Sequence, residues 1–361
     1  MKKRLSKFEV IRILAMFLIV LHHSVVHGVC DVKQGYSMIV MHPLNSGIAY
    51  ATGSGGIIGI YLFVLITGFF MINSQISFGK LIKLWLPIFF WSVLIFAVFG
   101  NNLNIKDLIM AMFPILFGKY WFMTVYIFMY CLIPVLNVVV NNIKSKREFY
   151  YLGIISLFII GSAFPKWGLS IIASRLANFC IIYCLGAIIR KNAVLKNKEC
   201  IQIAKKSFIS LIIISVLGII ALTYIGGTYN KIILIKIAKD IVIRDWTFIG
   251  IAEAVSLFLI IGSANIKYYP VINRTATCMF GIYLISDNPY MENVIWHQIF
   301  NMGKTLSYSW WLMLSYILGV TIIVFVCCSI LEYIRQLLFS RLENWFCIKG
   351  NRLQNKLRLV F

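Results

Sequence analysis

Arg12 and His23 are the residues whose types and spacing point most directly to chemistry. Both interrupt the apolar run that begins at Phe8, where an arginine at mid-membrane costs roughly 2.5–3.5 kcal/mol on insertion scales. Eleven residues at about 100° each return His23 to within roughly 20° of the azimuth of Arg12, about 16 Å further along a helix. A cation followed on the same stripe by a titratable imidazole is suited to holding an anionic donor and abstracting a proton at its far end.

Each of these residues also has a purely structural interpretation. Arg12 alone fits an arginine whose head reaches the cytoplasmic surface, and His23 alone fits a polar contact between helices. Glu9 lies one turn before Arg12, so we expect these two residues to form a salt bridge. His22 points away from the shared stripe. The presence of Arg12 and His23 together on one face favours the chemical interpretation.

The composition of the chain places these residues in a membrane protein. Of 361 residues, 61% are hydrophobic and only 13% are charged, which excludes a soluble globular core. Apolar stretches repeatedly reach the length of about 20 residues that a helix needs to cross the hydrocarbon layer. The formal charge of +22 would suggest nucleic-acid binding in a soluble protein. Basic cytoplasmic loops explain it here, so membrane lipid is an expected partner and nucleic acid is not.

Apolar runs between polar segments predict an all-α, polytopic transmembrane helical bundle of about ten spans. Most of the 34 Lys and Arg residues fall on one side if the N-terminus is cytoplasmic, so we expect both termini to be cytoplasmic. Residues 108–117 are too short for a crossing and are predicted to be re-entrant or interfacial, and residues 231–246 are predicted to form a basic surface helix. The predicted spans are 8–26, 47–72, 84–99, 121–140, 150–164, 171–189, 208–225, 247–263, 275–286 and 310–334.

The predicted spans form one membrane domain, residues 1–334, followed by a basic cytoplasmic tail, residues 335–361. We find no internal repeat, which weakens a transporter interpretation without excluding it. The sequence does not indicate an oligomeric state.

The first span resembles the signature of the acyltransferase-3 family, integral-membrane enzymes that O-acylate bacterial cell-surface glycans. The match consists of Glu9, two residues, Arg12, ten residues and His23. Further segments resemble the family in the same order along residues 8–296. They are 55–70, where Thr67 replaces a usual Ser; 80–87, where Lys80 and Lys83 replace paired arginines; 120–137; and 280–289, where Ser286 stands at a usual histidine position.

The resemblance implies a multi-pass protein of the bacterial cytoplasmic membrane that uses acetyl-CoA or another acyl-CoA from the cytoplasm. It also implies a sugar hydroxyl of a glycan or lipid-linked glycan as the acceptor, reached from the outer side. We expect His23 to act as the base and Arg12 to bind donor phosphates with its planar fork. Lys80 and Lys83 are predicted to add point charges at the same membrane edge, although both also fit an ordinary basic loop.

Four residues are predicted for the acceptor side. Glu253 and Asp287 are carboxylates within or at the end of apolar spans, and we expect them to orient His23 or to bind glycan hydroxyls. Trp121 and Tyr283 are aromatic candidates for contact with a sugar. An interfacial aromatic belt explains Trp121 equally well.

Other kinds of chemistry receive less support from the sequence. His27, His42 and His297 form no recognised ligand pattern with Cys, Asp or Glu, so no metal is expected. Without a Gly-x-Ser-x-Gly elbow, direct transfer assisted by His23 is simpler than an acyl-serine route, and an acyl-histidine intermediate stays open.

The glycines of 53–59 indicate helix packing. Alternatives from other classes are a carrier or flippase for a lipid-linked saccharide and a glycan polymerase.

Overall fold

Helices account for all of the regular structure in the described part of the chain. The computed structural model describes residues 5–31, 35–100, 104–143, 148, 153, 171–243 and 248–358. Over these ranges there are no strands, so the predicted all-α fold is confirmed. The predicted span 150–164 lies outside the described residues apart from Gly153.

The helices are numbered here in chain order. They are α1 (Ser6–His23), α2 (Ser37–Met41), α3 (Pro43–Gly53), α4 (Gly55–Met71), α5 (Phe78–Phe99), α6 (Ile105–Met112), α7 (Trp121–Asn142), α8 (Ile171–Lys191), α9 (Lys198–Thr228), α10 (Ile232–Ile243), α11 (Phe248–Ser263), α12 (Pro270–Thr275), α13 (Met279–Ser286), α14 (Pro289–Asn293) and α15 (Trp310–Arg358). A π-helical turn over Ser24–Val29 continues α1, and a second over Val294–Ile299 follows α14.

Within the described residues, 7 helical stretches are long and apolar enough to cross a membrane. Their number and hydropathy make the chain a multi-pass membrane protein. The predicted count of ten spans and the sidedness of the termini stay predictions. The stretches are α1 with its π-helical turn, α3 with α4, α5, α7, α9, α10 with α11, and α15.

Two predicted spans are broken rather than straight. Within the span 47–72 a single turn residue, Ser54, separates α3 from α4, and its Oγ donates to the carbonyl oxygen of Ala51 at 2.8 Å. The span 275–286 is a 3₁₀ turn, Ala276–Cys278, followed by the eight residues of α13. Pro289 disfavours helical conformation at the residue before it, which helps to end this segment.

The two segments that were not predicted to cross the membrane, 108–117 and 231–246, are also partly helical. Residues 108–117 overlap the end of α6, an eight-residue helix, and the turns that follow it. Asn104 caps α6, because its Oδ1 accepts from the backbone N–H of Asp107 at 2.7 Å. The predicted surface helix 231–246 corresponds to α10, and its residues 244–246 lie outside the described ranges.

The last helix is much longer than the predicted span 310–334. α15 has 49 residues and continues without a break through position 335, where the tail was predicted to begin. Its far end packs against the start of α5, where Oδ1 of Asn351 accepts from Ser77 Oγ at 2.8 Å and from the Gly79 N–H at 2.9 Å. Position 335, the predicted start of the tail, lies inside this helix, and the division into a membrane domain and a tail stays a prediction.

Glycines allow α1 and α4 to pack in close contact. A Cβ at Gly59 would collide with the backbone oxygen of Ala15, and a Cβ at Gly55 would lie 2.8 Å from Cδ2 of Leu18. Small residues let two helix backbones approach closely, which strengthens dispersion contacts where no hydrophobic effect operates between helices. The glycine cluster thus packs helices, as its sequence indicated, and fixes the position of α1.

We predict that Gly59→Ala destabilises the protein by roughly 1–3 kcal/mol, because the added methyl group must push α1 away from α4. Gly218→Ala is the matched control, because a Cβ there meets nothing within 4 Å and alanine is the better helix former. Thermal unfolding of the purified variants in detergent should show a lower melting temperature for Gly59→Ala alone. Equal melting temperatures for both variants would contradict this account of the contact.

Candidate active site

His23 and Asp287 meet at the C-terminal ends of α1 and α13. Nε2 of His23 lies 3.3 Å from Oδ1 of Asp287, and the two side chains are only 10% and 14% exposed. Because Asp287 is the first residue after α13, its carboxylate lies at the end of a helix that packs against α1. A buried carboxylate beside an imidazole fixes the ring and its tautomer, as in hydrolase triads. The two side chains form a candidate acid–base pair.

Two hydrogen bonds hold the turn that carries Asp287. Oη of Tyr120 donates to the carbonyl oxygen of Leu284 at 2.9 Å, and Nδ2 of Asn288 donates to Oη of Tyr120 at 2.7 Å. All of these groups are buried, so the bonds are not exchanged with water. The carboxylate of Asp287 is therefore presented by a rigid turn rather than by a mobile loop.

Two buried polar atoms at the C-terminal ends of α1 and α13 have no hydrogen-bond partner among the described residues. They are Nδ1 of His23 and Oγ of Ser286. Unpaired buried polar atoms are rare and costly, and they call for a ligand, a water or a catalytic role. Because Nε2 of His23 faces Asp287, Nδ1 is the ring nitrogen left to accept a proton.

A cavity of about 930 Å³ extends from the N-terminal half of α1 into the bundle. Arg12 lines it together with Lys80 and Lys83, both of which are exposed. Tyr283 also lines this cavity, and its phenol lies within electrostatic range of the Asp287 carboxylate. His23 itself is not among the lining residues. The cavity thus leads from the three cations to the tyrosine beside the His23–Asp287 pair.

The predicted salt bridge between Glu9 and Arg12 is confirmed, with Nη1 of Arg12 at 2.5 Å from Oε1 of Glu9. Glu9 is 3% exposed and Arg12 is 28% exposed, so the acid is buried and the guanidinium reaches the cavity. This single contact leaves most of the five guanidinium N–H donors for another anion.

The sequence matches the family of acyltransferase-3 proteins, described as an acyltransferase domain, over residues 5–333. The chain belongs to the acyltransferase-3 family. It is therefore a membrane acyltransferase, and the family resemblance of its motifs is confirmed. Searches of curated proteins and of solved structures found no match.

The acyltransferase carries a buried charge network on α15 that the sequence analysis missed. Arg335 donates from Nε and from Nη2 to the two carboxylate oxygens of Glu332, each at 2.8 Å, and also pairs with Glu343. Trp91 donates from Nε1 to Oε2 of Glu332 at 2.8 Å. All three charged residues line the main cavity. The spacing of Glu332 and Arg335, three residues apart, was the signal that could have revealed part of this network.

Two more histidines of the acyltransferase face carboxylates. Nδ1 of His27 lies 3.1 Å from Oε1 of Glu292, and Nε2 of His297 lies 3.3 Å from Oδ2 of Asp31. The rings of His23 and His27 have centroids 5.3 Å apart. The sequence analysis found no ligand pattern around His27, because Asp287 and Glu292 reach it from a distant part of the chain. The four-residue spacing of His23 and His27 was the available local signal.

Two predicted acceptor residues lie apart from the His23–Asp287 pair. Glu253 accepts a hydrogen bond on Oε1 from Ser215 Oγ at 2.7 Å, between α9 and α11. It lines neither of the two cavities described here. The Trp121 ring packs under the guanidinium of Arg175, whose Cζ is 4.0 Å from the ring centroid. Trp121 approaches the main cavity only through its neighbour Phe122, which packs edge to face on Tyr283.

We predict that Arg335→Gln lowers stability by roughly 3–5 kcal/mol, because it leaves Glu332 and Glu343 buried without their cation. Arg341→Gln changes an exposed arginine on the same helix and is the control, expected to alter stability by less than about 0.5 kcal/mol. Melting temperatures in detergent compare the two variants. A melting temperature of Arg335→Gln equal to that of Arg341→Gln would show that the network does not stabilise the bundle.

Proposed function

We propose that this acyltransferase transfers an acyl group, acetyl in the first instance, from cytoplasmic acyl-CoA to a sugar hydroxyl. The acceptor is a cell-surface, capsular or exopolysaccharide glycan or its lipid-linked precursor, and the enzyme lies in the bacterial cytoplasmic membrane. One observation carries the proposal. A single cavity connects Arg12, Lys80 and Lys83 with Tyr283, which neighbours the His23–Asp287 pair.

The charges at the N-terminal half of α1 support binding of the donor phosphates. Arg12 keeps free donors beside its salt bridge with Glu9, and guanidinium binds phosphate through paired, charge-assisted hydrogen bonds. Lys80 and Lys83 add two compact positive charges at the same cavity. Phosphates held here leave the flexible pantetheine arm free to extend along the cavity towards His23, about 16 Å further along α1.

The His23–Asp287 pair supports activation of the acceptor hydroxyl. The hydroxyl oxygen bonds to the thioester carbonyl carbon while its proton moves to Nδ1 of His23, and Asp287 stabilises the imidazolium through Nε2. The carbon–sulfur bond then breaks, and the proton passes from His23 to the departing thiolate. Tyr283 lines the cavity and the hydroxyl of Ser286 has no partner among the described residues, which suits these two hydroxyls to donate hydrogen bonds to the oxyanion.

A second cavity supports entry of the acceptor from the side opposite the donor. It measures about 330 Å³ and is lined by Asp31, His297 and Lys304. Gly28, which follows His27 in the sequence, also lines this second cavity. The second cavity therefore lies beyond the C-terminal end of α1. Polar and charged groups around a small cavity suit the hydroxyl-rich surface of a sugar. The predicted topology makes this the outer side.

We predict that His23→Ala lowers acetyl transfer by about 10²–10⁴-fold, the usual contribution of a general base. Purified enzyme would be assayed for release of free CoA from acetyl-CoA, and surface glycan from complemented cells would be analysed for acetate by mass. His42→Ala is the control, because His42 lines neither described cavity. Full activity of His23→Ala at normal expression would remove the proposed base, and no turnover by the wild-type enzyme would favour a carrier.

We predict that Arg12→Lys raises the apparent Michaelis constant for acetyl-CoA by about tenfold, because lysine cannot make the planar paired contact with phosphate. Arg352→Lys, at an exposed position near the end of α15, provides the matched control. Initial rates over a range of donor concentrations separate a binding effect from a loss of turnover. An unchanged Michaelis constant for Arg12→Lys would refute the donor-binding role.

A further inference from the structure

His23, His27 and Asp287 bring three potential metal ligands to one point. One ring nitrogen from each histidine and one carboxylate oxygen all lie within 4.8 Å of one another. The four-residue spacing of the histidines places both rings on one side of α1 and of the π-helical turn that continues it. Asp287 completes the group from the end of α13.

The ligand set and its dimensions fit a transition-metal cation. Zinc binds imidazole nitrogens and carboxylate oxygens at about 2.0–2.2 Å in a tetrahedral arrangement, which separates neighbouring ligand atoms by about 3.3–3.5 Å. Nε2 of His23 and Oδ1 of Asp287 are already 3.3 Å apart. The nitrogen of His27 needs to approach by about 1.5 Å at most to reach the same separation, which rotation of its side chain can provide.

The surroundings of His27 resemble the outer shell of metal sites. Ligating histidines usually have a carboxylate beside the second ring nitrogen, which orients the ring and raises its basicity. Oε1 of Glu292 lies 3.1 Å from Nδ1 of His27, and the His27 side chain is 28% exposed. Glu292 thus supplies His27 with a second polar neighbour, and His27 is the part of the cluster that is exposed at the protein surface.

We propose that His23, His27 and Asp287 bind a transition-metal cation such as Zn²⁺, and that the bound cation inhibits the acyltransferase. This proposal rests on the proposed function, because the cation would bind the imidazole of His23, which is the proposed base. A cation on Nε2 of His23 forces the ring proton onto Nδ1. That nitrogen can then no longer accept the proton of the acceptor hydroxyl, and Asp287 is occupied as a ligand. Removal of the cation restores both groups.

Binding is tested first, without any assay of activity. Purified full-length protein is stripped with a chelator and titrated with Co²⁺, whose visible absorption intensifies in tetrahedral sites, and Zn²⁺ is then used to displace it. We expect one cation per chain on nitrogen and oxygen ligands. The chain also has nine free cysteines, and an intense near-ultraviolet thiolate-to-cobalt band would assign the cation to these and overturn the proposal.

Matched histidine variants locate the cation. His27→Gln removes one ligand and should weaken binding of Co²⁺ and Zn²⁺ by at least about tenfold, whereas His42→Gln should bind as the wild type does. Glu292→Gln keeps all three ligands and should weaken binding to a smaller extent, so it serves if His27→Gln fails to fold. Equal affinity of wild type and of both cluster variants would exclude this site.

Activity measurements separate this proposal from the proposed function. Zn²⁺ should inhibit acetyl transfer by the wild type over the concentration range in which it binds, a chelator should reverse this, and His27→Gln should resist it. Binding without inhibition would overturn the inhibitory role. Transfer without cation binding would overturn this proposal alone, and binding by a protein that turns over no acyl donor would overturn the proposed function alone.

Discussion

A charge inside an apolar bundle is stable only beside an opposite charge or a strong hydrogen-bond partner, and this constraint organises the acyltransferase. Arg12 is paired with Glu9 at one end of α1, and His23 faces Asp287 at the other. Arg335 is held between two carboxylates of its own helix. Leaving any of these groups alone would cost several kcal/mol. The pair of His23 with Asp287 joins α1 to α13, whereas the pairs of Arg12 and Arg335 form within single helices and neutralise charges that line the main cavity.

Pairs that are close in sequence were predictable, and pairs that are distant were not. Glu9 and Arg12 are one helical turn apart, so their contact follows from helix geometry alone. Asp287 and Glu253 were both candidates to orient His23 or to bind glycan hydroxyls, and the choice between the two acids depends on the packing of α13 against α1, which the sequence does not give. The pairing of His27 with Glu292 has the same origin. Helical periodicity gives the face on which a residue lies, and it carries no information about which distant helix covers that face.

The positions of the helices were also partly predictable from the sequence, and the points at which they end were not. The class of fold follows from composition, and most predicted spans fall on observed helices. The predicted span 310–334 ends just before Arg335, since a charged residue normally marks the membrane surface. In the structure this arginine faces a cavity and is neutralised, so α15 continues. The break at Ser54 had a local signal, because Ser54 lies among Gly53, Gly55 and Gly56 and glycine lowers helix propensity, but the sequence analysis assigned these glycines to helix packing alone.

The length of α15 has a mechanical consequence. At 1.5 Å per residue, 49 residues form a rod of about 74 Å, more than twice the thickness of about 30 Å of the hydrocarbon layer. The helix therefore has turns to spare beyond the length needed to cross this layer, and Asn351 in its last part holds it against the start of α5. Lys80 and Lys83 therefore line the main cavity from a helix whose first turn is tied to α15, so this part of the cavity wall is built from two joined helices rather than from a loop.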